Sequence, residues 1–299
     1  MLNLDLARPS AGLHFYKAHG LGNDYLVFEE GDAWALEPAA VARVCDRWRG
    51  PGGDGIVVLL DDASGGRFRL RMFNPDGSEF ERSGNGLRIL ASHLARTGRV
   101  DSEPFQVEVG GDRIEMTVHD RSGPYYDVSV EMGRAQVGPE AVEMDPGALD
   151  AHGRLAGPDG VPLSLVPVSV GNPHLVVWVD DPSTEELHRL GPFLTAHPAL
   201  AHGANVQLAA PDGPHACRAL IWERGVGPTS ASGTSSCAVA VAAVHRRLVE
   251  PGSVEIRMEG GELDVSVTAG MDVVLRGPVE EVCEGTLTAP WARTLRGEP

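Results

Sequence analysis

An internal repeat constrains this chain more than any other feature of its sequence. Sliding the 299 residues against themselves places Gly22-Asn23 on Gly171-Asn172 and Ser83-Gly84 on Ser232-Gly233 at one fixed offset of 149 residues. Arg69 on Arg218 and Val27 on Val176 obey the same offset. A period this long marks a duplicated domain rather than a solenoid unit. The chain is therefore expected to fold as two related halves, and its 42% apolar content supplies a core for each.

The two halves carry the same order of elements. In the first, alternating apolar residues predict strands over 14–18 and 25–28 on either side of a glycine turn, a helix over 38–47, and strands over 56–60 and 68–73. Ser83-Gly84-Asn85-Gly86 then opens a helix with Leu87, Leu90, Ala91 and Leu94 on its apolar face, and further strands run from 105 to 132. In the second half, strands over 163–170 and 175–179 flank Gly171-Asn172, a helix follows over 184–190, and a strand covers 219–222. Ser232-Gly233-Thr234 leads into an apolar helix over 236–248. Both Ser-Gly helices carry so little charge that they are expected to be buried. The expected architecture is two sheets, each wrapped about one central helix, with Ser83 and Ser232 at the helix N-termini.

Composition removes several classes of function. Forty-two acidic against 25 basic residues give a formal charge of -17, which disfavours a nucleic-acid partner or an anionic membrane surface. No apolar run approaches the roughly 20 residues that span a bilayer. Residues 1–12 lack a signal peptide's pattern and read as a disordered lead-in, which makes the expected location cytoplasmic. The cysteines Cys45, Cys217, Cys237 and Cys283 show no C-x-x-C spacing, so buried reduced thiols are expected and a metal site is not. Lys17 is the only lysine, which argues against a pyridoxal Schiff base; no G-x-G-x-x-G follows a strand to open a helix, and no G-x-x-x-x-G-K-S/T motif is present. No cofactor is expected.

Two halves related by a pseudo-twofold would set Ser83 and Ser232 facing each other across a cleft, each at the positive end of a helix dipole. Backbone N–H groups of Gly84, Asn85, Gly233 and Thr234 would cradle a substrate carboxylate and stabilise the charge that grows when its α-carbon loses a proton. A base on one face and an acid on the other then invert the stereocentre.

Five stretches carry a resemblance to a known family: KAHGLGNDYLVF (17–28), MFNPDGSEFERSGNGLR (72–88), VSVGNPH (168–174), ANVQ (204–207) and ERGVGPTSASGTSSCA (223–238). From about residue 14 to 285 the chain resembles the diaminopimelate epimerases. The resemblance implies an α/β (α+β) fold of two pseudo-symmetric domains, each a mostly antiparallel sheet around a central helix. Their boundaries are 1–133 with 279–299, and 134–278. It also implies cofactor-independent interconversion of LL- and meso-2,6-diaminopimelate by a base and an acid on opposite faces, a step in lysine and peptidoglycan precursor synthesis, and a homodimer. Carried over by position, Asn23, Asn74, Asn172 and Asn205 with Glu223 and Arg224 hold the substrate, a diamino dicarboxylic acid, while His174, near the catalytic pair, and Glu223 are implied to be catalytic beside the residues at 83 and 232. Guanidinium pairs bidentately with carboxylate, and Glu or amide oxygens accept from ammonium.

The departures are as specific as the matches. Both catalytic cysteines of the family are serine here, Ser83 and Ser232, while Pro228 stands where glutamate is common and Ser235 where glycine is frequent. A thiol of pKa about 8.5 is brought into range by a helix N-terminus, whereas a serine hydroxyl ionises far less readily. Cys237, five residues beyond Ser232, is expected to be buried and unable to substitute. Three readings follow: a diaminopimelate epimerase, a divergent racemase, isomerase or dehydratase-like member acting on a more acidic carbon, and a homologue that binds an amino acid without turning it over. The plainer alternatives are Asx-turns for the asparagines, a surface ion pair for Arg224, a structural role for His174, and loop or capping roles for Asp54, Asp76 and Glu79.

Overall fold

The repeat returns as a repeated strand order. The structure is a computed structural model that describes residues 13–29, 37–60, 67–80 and 83–297; the expected lead-in over 1–12 lies outside the described residues. The chain divides into two units, Met1–Tyr126 with Val279–Pro299, and Asp127–Pro278.

The first unit holds β1 (His14–Gly20), β2 (Asn23–Phe28), α1 (Pro38–Cys45), β3 (Gly55–Leu59), β4 (Arg67–Phe73), β5 (Glu79–Phe80), α2 (Gly84–Arg96), β6 (Phe105–Val109) and β7 (Asp112–Ser122). β8 (Tyr125–Arg134) continues the chain into the second unit, where β9 (Gln136–Val137), β10 (Arg154–Ala156), β11 (Pro162–Ser169) and β12 (Pro173–Trp178) come first. α3 (Thr184–Thr195), β13 (Asn205–Pro211), β14 (Ala216–Glu223), β15 (Gly227–Thr229), α4 (Gly233–His245), β16 (Gly252–Met258) and β17 (Gly261–Val267) follow. β18 (Asp272–Thr286) returns the chain to the first unit, which α5 (Ala289–Leu295) ends.

In the first unit β1 runs antiparallel to β2, β2 parallel to β3, β3 antiparallel to β4, β4 antiparallel to β5 and parallel to β6, and β6 antiparallel to β7. In the second unit β11, β12, β13, β14, β15, β16 and β17 repeat those orientations in the same sequence. α2 and α4 are each 13 residues long and begin after a serine N-cap, Ser83 and Ser232. Duplication thus accounts for topology as well as for the matched dipeptides.

Both central helices are buried, as their lack of charge predicts. Every residue of α2 from Gly84 to Leu94 is buried, and so is every residue of α4 from Ser235 to Val244. α2 packs on β1, β2, β3 and β7, and α4 on β11 to β14, β16 and β17, so each sheet curls around its helix. The outer faces are covered as well. Leu26, Phe28, Ile56 and Val58 share a core with Val41 and Val44 of α1, while Leu175, Val177, Val206 and Leu208 share one with Leu187, Leu190 and Leu194 of α3. Strands buried on both faces read as continuous apolar runs. Because side chains alternate along a strand, His174, Asn205 and Gln207 lie on the opposite face from that outer core.

Three expectations need correction. α3 continues past residue 190 through Gly191-Pro192 to Thr195, because a side chain at Gly191 would collide with the Trp222 indole and the glycine permits the helix to sit directly on β14. α4 begins and ends three residues earlier than expected: Ser232 is extended at φ -153°, and Arg247 breaks the helix at φ 58°. Cys45, Cys217 and Cys237 are buried, but Cys283 is exposed, because β18 leaves the core beyond Val279. Among the described residues, no helix is long and apolar enough to cross a membrane and no acidic, histidine and cysteine cluster has the makings of a metal site.

Candidate active site

In the first unit the candidate residues gather at the N-terminus of α2. Ser83 is extended at φ -135°, and its Oγ accepts the Gly86 N–H at 3.1 Å, an N-cap. Asn85 Nδ2 donates to Asn23 Oδ1 at 2.9 Å, and Asn23 Nδ2 donates to Asp54 Oδ2 at 3.0 Å. Asp54 also accepts from the Asp24 N–H at 3.2 Å and from Arg47 at 2.6 Å. Arg88, wholly buried one turn below, donates to Asn85 Oδ1 and to the Gly84 carbonyl. Both asparagine amides therefore have a fixed sense: carbonyl of Asn85 toward Arg88, amide nitrogen of Asn23 toward Asp54.

This network rests on a second layer of charge. Lys17 Nζ lies 2.9 Å from Asp24 Oδ2 and donates to the Gly52 carbonyl at 2.8 Å, tying β1 to the loop that carries Asp54. Burial alone would raise the Asp24 pKa, but hydrogen bonds from Arg47 and Lys17 outweigh it and hold the carboxyl below its usual range. Asn74 is not brought into this network. It sits in the turn before β5, where its Nδ2 donates to Ser78 Oγ at 3.0 Å, and Asp76 accepts from Ser78 in the same turn. Glu79 pairs with Arg71 at 2.7 Å. Asp76 therefore has the turn role read from sequence, whereas Glu79 is on strand β5 in an ion pair rather than in a loop or cap, and Asp54 joins the Asn23 network.

In the second unit the β12–β13 pair organises the candidates. The parallel register sets His174 beside Asn205. His174 is fully buried, its Nε2 2.8 Å from Asn172 Oδ1 and its Nδ1 3.0 Å from Gln207 Nε2. Burial pushes its pKa down to about 3 against the hydrogen bond from Gln207, and the positive charge of Arg224 acts in the same direction as burial. Gln207 Nε2 also donates to Ser235 Oγ at 3.0 Å on the first turn of α4. Asn205 Oδ1 accepts the Arg224 backbone N–H at 2.9 Å, fixing the junction where Glu223 ends β14 and Arg224 begins the turn. Arg224 is exposed and donates to the His202 carbonyl at 2.5 Å.

Ser232 and Ser83 differ in one respect. Ser232 makes no side-chain cap; its carbonyl instead accepts from Ser236 N at 3.0 Å and from Ser236 Oγ at 2.9 Å. Gly233 is buried and Thr234 half-buried beside it. Cys45 and Cys217 do not take the place of the missing cysteines by ionising easily: burial pushes Cys45 up to about 12 and Cys217 up to about 11.

Sequence reasoning missed Arg88, Gln207, Asp24 and Arg47 as parts of the site. A signal existed for the first two. Each is a polar residue flanked by apolar ones on a buried stretch, Arg88 between Leu87 and Ile89 and Gln207 between Val206 and Leu208, and such a residue needs a partner.

A profile of the diaminopimelate epimerase family matches residues 15–138 and 166–282. The chain is 38% identical to a diaminopimelate epimerase of Desulforudis audaxviator over 91% of its length and 98% of the relative's. It is 33% identical to diaminopimelate epimerase 2 of a Nostoc species over 92% of its length and 96% of the relative's. Its fold is similar to that of a predicted epimerase from Pseudomonas aeruginosa, with a TM-score of 0.68 at 22% identity over 92% of this chain and 99% of that one. It is also similar to that of a hydroxyproline epimerase from Agrobacterium vitis with bound trans-4-hydroxy-L-proline, with a TM-score of 0.63 at 17% identity over 93% and 91% of the two chains. By profile and by identity, the chain belongs to the diaminopimelate epimerase family.

Proposed function

We propose that this protein binds 2,6-diaminopimelate and inverts one α-carbon, interconverting the LL and meso isomers without pyridoxal phosphate. The observation that carries the reading is the pair of buried helices that begin at Ser83 and Ser232 inside a retained set of family polar residues. Backbone N–H groups of Gly84, Asn85, Gly233 and Thr234 bind the reacting carboxylate, where helix dipoles stabilise the charge of the deprotonated α-carbon. Asn23, Asn74, Asn172, Asn205, Glu223 and Arg224 hold the distal amino and carboxylate groups, and His174 supports the site. Ser83 and Ser232 stand as acceptor and donor of the α-proton. A hydroxyl accepts a proton far less readily than a thiolate, so turnover is slow. In this reading the domains are 1–133 with 279–299 and 134–278, and the protein is a cytoplasmic homodimer.

The test is α-hydrogen exchange and appearance of the meso isomer from LL-diaminopimelate in deuterated water. The protein is compared with its Ser83→Cys/Ser232→Cys variant. Restoring the thiols raises both rates by about 10²-fold or more. If both forms remain folded and neither exchanges, the substrate reading fails and the divergent or non-catalytic reading replaces it.

A further inference from the structure

We propose that Gln207 is a positioning residue that locks His174 as a neutral imidazole with its proton on Nε2, so that His174 is a fixed hydrogen-bond donor to Asn172 and exchanges no proton with substrate. The argument is one of donor and acceptor balance in a closed space. His174 and Gln207 are both fully buried, on the face of β12 and β13 away from the α3 core. The register places His174 opposite Asn205, and Gln207 follows two residues later on the same side of β13.

A glutamine amide nitrogen donates twice and accepts nothing. Here one donor contact goes to His174 Nδ1 and the other to Ser235 Oγ, each at 3.0 Å. Nδ1 must then supply its lone pair, and the ring proton must sit on Nε2, 2.8 Å from Asn172 Oδ1. The chain Ser235–Gln207–His174–Asn172 is thereby polarised in one sense. It directs the Asn172 carbonyl inward to the imidazole and leaves the Asn172 amide nitrogen as the group turned elsewhere. The Ser235 hydroxyl receives the second amide hydrogen. Gln207 Oε1 is buried with no partner among the described residues, so the two donor contacts alone set the amide. The rival arrangement turns the amide by half a revolution, sets Oε1 against Ser235 and the imidazole, and requires the ring proton on Nδ1.

The two arrangements give opposite spectra. The protein labelled with ¹⁵N-histidine is followed by long-range ¹H–¹⁵N correlation between about pH 5 and pH 8, the range in which an ordinary histidine titrates. The His174 signal is assigned by its loss in His174→Gln. The expected result is the Nε2–H tautomer throughout, with no titration. A proton on Nδ1, or a midpoint inside that range, overturns the proposal. In Gln207→Glu an ionised carboxylate accepts only and draws a proton onto Nδ1, as the other tautomer or as imidazolium; at a pH where the new carboxylate is ionised, a His174 spectrum identical to that of the parent also overturns it. On the diaminopimelate reading of the site, Gln207→Glu also weakens diaminopimelate binding roughly tenfold, because the Asn172 amide must turn with the imidazole. Only this affinity measurement rests on that reading. A protein that shows the Nε2–H tautomer yet ignores diaminopimelate supports the lock and refutes the substrate assignment.

Discussion

Asn85 Nδ2 donates to Asn23 Oδ1 at 2.9 Å, joining the first turn of α2 to the start of β2. The bond has a direction because Arg88 occupies the Asn85 carbonyl and Asp54 the Asn23 amide nitrogen. Arg88→Met therefore removes the donor that Asn85, 7% exposed, needs on its oxygen. The expected loss of stability is about 1–3 kcal/mol, the cost of a buried acceptor left without a partner. A lower urea midpoint at unchanged slope is the expected signature, and an unchanged midpoint counts against the network.

The two serines differ in what they give their helices. Ser83 Oγ caps Gly86, whereas the Ser232 side chain makes no cap. Ser83→Ala costs about 1 kcal/mol, and Ser232→Ala stays within about 0.5 kcal/mol, as for a substitution that removes no such feature. Denaturant unfolding of the two single variants checks this. Equal losses would mean that the cap at Ser83 contributes nothing.

How much of this was legible before the structure depends on the kind of information each residue carries. The repeat gave the order of elements and the two central helices, because Ser-Gly at both N-termini and the charge-poor stretches after them are local signals. Boundaries were less legible. Gly191-Pro192 resembles a helix stop, yet the glycine exists to admit Trp222 from a strand distant in sequence. The supporting residues were hidden for the same reason. Arg88 and Gln207 acquire meaning only when folding brings Asn85 and His174 against them, and no periodicity encodes that pairing. Asp54 looked like a loop residue because its partners, Asn23 and Arg47, come from other segments.

Acid weakens the fold through several groups, Asp24 among them, and two of the others act in separate pH ranges. Hydrogen bonding from His93, with a second bond from Arg99, outweighs burial and lowers Glu29 to about 2, below the ordinary value of about 4.3. Its contribution is complete above that ordinary value and is lost as pH falls toward 2. His174, buried neutral and lowered to about 3, binds a proton in the unfolded chain first, so stability also falls below an ordinary histidine pKa of about 6.5. Urea midpoints measured from pH 7 to pH 2 decline in two stages. Glu29→Gln flattens the lower stage and His174→Gln the upper. A decline that neither variant alters would assign acid sensitivity to other groups.

Gly20 tests whether the orientation of Asn85 governs binding separately from stability. A Cβ at Gly20 would lie 3.0 Å from Arg88 Nη2 and 3.2 Å from Asn85 Oδ1, closer than ordinary packing allows. Arg88 is 0% exposed and cannot swing into solvent, so the strain passes to the Asn85 amide and through it to Asn23. Gly20→Ala is expected to cost about 1–3 kcal/mol through overpacking and to weaken diaminopimelate binding roughly tenfold as the two amides turn. Gly98, just past the other end of the same helix, supplies the control. It has φ +71° and open space around its Cβ position, so Gly98→Ala strains the backbone by about 1–2 kcal/mol without touching the site. Calorimetric titration beside thermal unfolding separates the effects. Both variants lose stability, and only Gly20→Ala loses affinity; equal affinities would show that binding does not depend on how Arg88 aligns Asn85.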